Sequence, residues 1–300
     1  MSENTILGGP PSDTDRRSDA SRDPTHAAVD SPTDELDADE TSDVPGDVAT
    51  AYHRGRLYGA FALGFDRPGD ELQTALAAGA YTDDLVESAR IIDPEIGGVA
   101  AEVGTHLEAF DALCGRWASL FGVEEGITVS PYELTYLPGP LMTNVRQLAD
   151  IRGFYDAFDL SIAPGRNDRG DHVCFLTSFT SHLSLQEAYL RLEGDVGGVA
   201  VVVDAQRRFL EDHLGRWYWR FAEEVSAHDD GFYAALGDLL SALVEYEIER
   251  LELDPTWVPD DPEVTEWNED VFGDSGRSCG GCGLNDEGVD QLSWDGGDSS

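Results

Sequence analysis

Hydrophobic residues recur along this chain at steps of three and four, the period of a helix that buries one face. The stretch DRGDHVCFLTSFTSHLSLQEAYL, residues 168–190, puts Val173, Leu176, Phe179 and Leu183 on one face. It predicts a helix entered through an acidic turn, with Asp168 and Asp171 placed as cap and first-turn carboxylates. His172 stands beside that turn. Tyr52, Leu57, Phe61 and Phe65 predict an earlier helix that begins near Ala49 and is stopped by Arg67-Pro68-Gly69, and Asp70-Glu71 starts the next. Val99, Val103, Leu107, Phe110, Leu113, Trp117 and Leu120 form one apolar stripe and predict a single long helix from Gly97 to Phe121.

The same period places Val145, Leu148, Ile151, Tyr155 and Phe158 on the inner face of a helix from Leu141 to Leu160. GVAVVV, residues 198–203, has strand-like composition, but a lone strand would have no partner. It reads as the apolar start of a helix through Phe209, Leu210 and Leu214, followed by a further helical stretch from Arg216 to Val225. A last helix, Gly231 to Leu253, carries Phe232, Leu236, Leu239, Leu240, Leu243, Ile248 and Leu251 inward. The sum is an all-α chain with one helical domain over residues 49–253. Residues 1–48 and 254–300 are acidic and poor in large apolar side chains, and are expected to be disordered tails.

Charge changes this picture. The 300 residues hold 60 Asp and Glu against 19 basic residues, all of them Arg, for a net charge of -41. Self-repulsion on that scale destabilises a compact state unless salt screens it, and at 1 M salt the Debye length is roughly 3 Å. The composition resembles that of halophilic archaeal proteins. Acidic clusters therefore carry little functional information, and a basic face for nucleic acid is not expected. No apolar run approaches the ~20 residues of a membrane span. Arg16-Arg17 lacks a following apolar segment, and with four Cys and no leader a cytoplasmic protein is expected.

Candidate chemistry is sparse. His228-Asp229 brings to mind a helical HD-type metal phosphohydrolase, but Asp230-Gly231 follows at once, which suits an interhelical turn with an N-cap. Cys279 and Cys282 form a CxxC, the only plausible metal ligands of this type, and two ligands do not close a zinc site. No cofactor is expected. The loop ITVSPYELTYLPGP, residues 127–140, carries Tyr132 and Tyr136. With Phe154 and Tyr155 these aromatics are either core or the wall of a groove for an apolar peptide with a cationic end.

The order of motifs resembles the TorD/DmsD/NarJ family of redox-enzyme maturation chaperones. RGRLYGAFALGF (54–65) resembles the family's opening helix, and SPYELTY (130–136) its Pro-Glu-Tyr loop. Residues 145–179 and 207–247 are similar to its two later blocks. Gly170 stands where the family usually has Pro before Asp-His, Thr177-Ser178 replace part of an acidic segment, and Asp159 replaces a glycine. The resemblance implies a TorD-like helical bundle with no enzymatic activity, a monomer or domain-swapped dimer. Its partner would be the catalytic subunit of a molybdopterin oxidoreductase, with that subunit's twin-arginine signal peptide. It further implies that Asp171 meets the arginines with His172 as its neighbour, orienting or sensing protonation. Pro131, Tyr132, Tyr136 and Phe179 would form the apolar wall and Glu133 a second acidic contact. A NarJ-like assembly factor for a nitrate reductase subunit is the alternative within the family.

Overall fold

The computed structural model describes residues 4–5, 45–122, 128–137, 141–166 and 168–255. The fold is all-α, as expected. Its helices are α1 (Gly46–Phe65), α2 (Asp70–Ala77), α3 (Ala80–Ile92), α4 (Pro94–Thr105), α5 (Phe110–Phe121), α6 (Glu133–Tyr136), α7 (Leu141–Ala157), α8 (Val173–Glu193), α9 (Val196–Asp212), α10 (Tyr218–His228) and α11 (Phe232–Leu251). A 3-10 turn, Leu214–Arg216, links α9 to α10. Among the described residues the extended pairings are a two-residue parallel contact of β1 (Asn4–Thr5) with β2 (Leu160–Ser161) and a bridge between Tyr132 and His172. Apart from Asn4 and Thr5, the expected tails lie outside the described residues, except a few positions beside α1 and α11; Cys279 and Cys282 lie wholly outside.

Helix α8 is the axis of the bundle. Val173, Phe175, Leu176, Phe179 and Leu183 are fully or almost fully buried, and so are Thr177, Thr180, Ser181 and Ser184. Those hydroxyls are tolerated because each finds a carbonyl: Thr177 donates to Val173 O at 2.8 Å, Thr180 to Leu176 O at 2.9 Å and Ser181 to Gly55 O at 2.7 Å. Helix α1 packs closely on α8 because Gly55 has no side chain. A Cβ there would stand 2.6 Å from Leu185 Cγ, inside van der Waals distance. The reading of GVAVVV as helix holds: Gly194, at φ 71, ends α8, and Asp195 then caps α9 by accepting from Gly198 N at 2.9 Å.

Three expectations need correction. The stripe from Val99 to Leu120 spans two helices, because α4 stops at Thr105 and α5 resumes at Phe110. A four-residue connection preserves the three-four spacing, so periodicity alone does not see the break. Helix α8 starts at Val173, and its N-cap is His172, whose Nδ1 accepts from Cys174 N at 3.2 Å; Asp168 and Asp171 belong to the turn before it. Helix α7 ends at Ala157, and Val145, expected inside, is 55% exposed. No helix among the described residues is long and apolar enough to cross a membrane.

Candidate functional site

The loop before α6 and the turn before α8 are clamped together by their backbones. Val173 N donates to Pro131 O at 2.8 Å and Glu133 N to Asp171 O at 3.0 Å, the short antiparallel bridge at Tyr132 and His172. Pro131, Tyr132, Glu133, Asp171 and His172 therefore meet. Tyr136 and Phe179 do not join them. Tyr136 stacks on Trp217 with ring centroids 5.0 Å apart, its hydroxyl 2.9 Å from Glu224. Phe179 is wholly buried among Phe154, Tyr155, Phe158 and Phe209. In this conformation Phe179 is core, because α8 is covered on the side it faces.

Asp171 is fully buried, yet its carboxylate is well supplied. Arg169 Nε reaches Oδ1 and Nη2 reaches Oδ2, each at 2.9 Å, and Leu134 N donates to Oδ2 at 3.1 Å. The Arg169 guanidinium lies over the Tyr132 ring, 4.5 Å from its centroid, and the Arg169 side chain is 49% exposed. This is a side-on bidentate ion pair capped by an aromatic face. The Tyr132 hydroxyl donates to Asp168 at 3.2 Å, and burial with the Asp168 charge pushes its pKa up to about 12. Arg166 fixes the same turn to the end of α1 through both oxygens of Asp66, at 2.6 and 2.8 Å.

His172 is 4% exposed and packs edge-on to Tyr132. Burial lowers its pKa to about 4, and its cap role requires an unprotonated Nδ1. It is a neutral capping group near pH 7, so a protonation sensor in the neutral range does not fit it. Glu133 is also fully buried and faces inward: Oε1 accepts from Gln147 Nε2 at 2.8 Å and lies 3.1 Å from His213 Nδ1. An incoming ligand does not reach Glu133 here.

Next to the clamp, Leu134, Thr135, Asn144, Val145, Leu148 and Arg169 line a cavity of about 220 Å³. Gln147, on the same helix as Val145, makes polar contacts to Glu133, His213 and the Asp212 carbonyl, while Val145 stays exposed. Leu134 and Arg169 were not singled out from sequence, and Leu148 was read only as an inner-face position of its helix. The signal for Arg169 was its place two residues before Asp171. Gly170 does not require glycine: a Cβ would meet Tyr155, Ile151 and Ile162 at 3.7 to 3.8 Å, ordinary contact distances.

The His228-Asp229 pair is structural. Asp229 Oδ2 accepts from Gly231, Tyr233 and Ala234 N at 3.1 Å each, capping α11, and Oδ1 from Arg116 at 2.7 Å. No group of His, Cys, Asp and Glu among the described residues is arranged to hold a metal.

Residues 92–223, from the end of α3 into α10, match the family model described as nitrate reductase delta subunit. Over that span, 132 of the 300 residues, the chain is similar to the NarJ/TorD-type chaperone family. At family level these are chaperones of molybdoenzyme maturation. The matched span contains the whole clamp and cavity, and leaves out α1 and α11. No curated protein matches the chain.

Proposed function

We propose that this protein is a cytoplasmic, non-enzymatic chaperone for a molybdopterin oxidoreductase of the dimethyl sulfoxide reductase type. It binds the twin-arginine signal peptide of the catalytic subunit, and the unfinished subunit itself, until the cofactor is in place and export can proceed. One observation carries the reading. A buried carboxylate, an aromatic face and a cavity with Leu134, Val145 and Leu148 among its walls stand side by side at Asp171 and Tyr132. A signal peptide of this class offers the matching order: guanidinium groups, then an apolar segment. At the high salt suggested by the net charge, screening weakens long-range attraction and shifts weight to bidentate geometry and apolar contact.

The family description favours a second reading, assembly of a nitrate reductase subunit that carries no export signal. Co-purification separates the two. Catalytic subunits with and without their signal segment are expressed beside the tagged chaperone in multimolar KCl. Capture that depends on the segment is the expected result. Equal capture of the leaderless subunit would overturn the signal-peptide role and support the second reading.

A further inference from the structure

We infer that Asp171 and Tyr132 form a guanidinium subsite which this chain fills with its own Arg169, and that an arginine-bearing peptide enters by displacing that side chain. This rests on the peptide-binding reading above and adds a competitor within the chain. Its ground is a mismatch in burial. The carboxylate is wholly buried, whereas the guanidinium above it is half exposed and belongs to a residue only two positions away, on a turn outside any helix. Among the described residues, Arg169 holds no second element of the fold through an ion pair of its own: its paired carboxylate is Asp171 and its ring contact is Tyr132.

Exchange of one guanidinium for another is chemically balanced. A buried carboxylate stripped of its partner is costly, but here the incoming group takes over the same two oxygens, so Asp171 is paired before and after. The Leu134 amide stays on Oδ2 throughout. Arg169 also borders the cavity of Leu134, Val145 and Leu148. A peptide whose arginine replaced it would thus have its neighbouring apolar residues beside Leu134, Val145 and Leu148, and those contacts supply the net gain. A ligand without a guanidinium has nothing to offer Asp171 in exchange, so the internal arginine also acts as a specificity filter.

The test is a titration of N-acetyl-arginine amide, and separately of a twin-arginine signal peptide, into full-length wild type and Arg169→Ala in 2 M KCl. If the closed form outnumbers the open one by about ten to one, removal of the internal competitor tightens arginine-amide binding about ten-fold. Arg152→Ala makes the same charge change at an exposed site, paired with Asp156, and is expected to leave binding unchanged. Adding Asp171→Asn to Arg169→Ala is expected to abolish the gain. Should Arg169→Ala not fold, Arg169→Lys keeps a cation over Tyr132 without the planar fork and is read the same way. A folded variant that binds arginine amide no more tightly than wild type overturns the inference, and peptide binding by wild type would then leave the proposed function standing. Tightened arginine-amide binding with no peptide binding by either protein does the reverse.

Discussion

Two arginine-carboxylate sites in this molecule look alike chemically and differ in everything around them. Arg54, on α1, is 2% exposed and reaches Glu247 on α11 at 2.5 Å, Glu187 on α8 at 3.1 Å and Gln206 on α9 at 2.7 Å. Arg191 and Arg250 close the network from outside, through Glu187 and Glu247. One side chain thus ties four helices together. Arg169 pairs with a carboxylate two residues away, half in solvent, and ties no helix to another. The first is a lock whose loss separates elements, and the second is a local contact that is free to exchange. Salt has little access to the first and screens the second, so at high ionic strength the first keeps its strength while the second weakens.

Arg54→Met gives the sharpest test of that difference. It leaves Glu187 and Glu247 in the core with their flanking arginines and, for Glu187, the Gln206 amide, and is expected to cost about 3 kcal/mol or more of unfolding free energy. Arg169→Ala admits water to Asp171 and is expected to cost about 1 kcal/mol. Denaturant unfolding of both variants at one KCl concentration checks this. Equal losses would erase the distinction between lock and exchangeable contact.

Acid should separate the two sites along the pH axis. Burial alone would raise the Glu187 pKa, but Arg54, with hydrogen bonds from Gln206 and Arg191, brings it to about 2. A folded pKa below the unfolded 4.5 gives stability that is complete above pH 4.5 and drains away as pH falls towards 2. His172 acts earlier. Its folded pKa of about 4 lies below the unfolded 6.5, so the unfolded chain binds a proton that the folded chain refuses. Stability is therefore lost as pH falls from 6.5 to 4, at about 1.4 kcal/mol per pH unit for this one group. His172→Asn keeps a capping acceptor and removes the proton. Its stability is expected to be flatter than wild type between pH 6.5 and 4 and parallel to it below. Parallel curves throughout would remove His172 from the account.

What the sequence disclosed follows the same division. Burial on one helical face leaves a periodic mark, so the helices and most core positions were legible, including Leu236, Leu239 and Leu243 on α11 and the GVAVVV segment. The gap at residues 106–109 was invisible because its length keeps the apolar phase. Val145 misled because periodicity reports which face a residue shares and not whether anything covers that face. Ion pairs leave no periodic mark at all. In a chain with 60 carboxylates, neither the three partners of Arg54 nor the pairing of Arg169 with Asp171 could be picked out from composition. The meeting of the Pro131 loop with Asp171 and His172 came from the order of family motifs, and backbone hydrogen bonds now account for it.

The smallest expected effect concerns a residue where family likeness and geometry converge. Asp159 replaces a glycine of the family pattern, and its φ is 54°, in the left-handed region. It closes α7 into β2, its N–H donating to Asp156 O at 3.2 Å. Aspartate tolerates this conformation better than most residues, while glycine adopts it freely at the cost of a more flexible unfolded chain. The two effects oppose each other, so Asp159→Gly is expected to raise stability by only a few tenths of a kcal/mol, up to ~1. Asp159→Ala keeps the strain and loses the polar side chain, and is expected to lose about 1 kcal/mol. Gly170→Ala is the contrast, because that φ is not left-handed and a Cβ fits; it is expected to be neutral or slightly stabilising. Thermal melts of the three variants order them by backbone conformation alone. If Asp159→Ala proved as stable as Asp159→Gly, the turn would carry no strain, and the family's glycine would need another explanation.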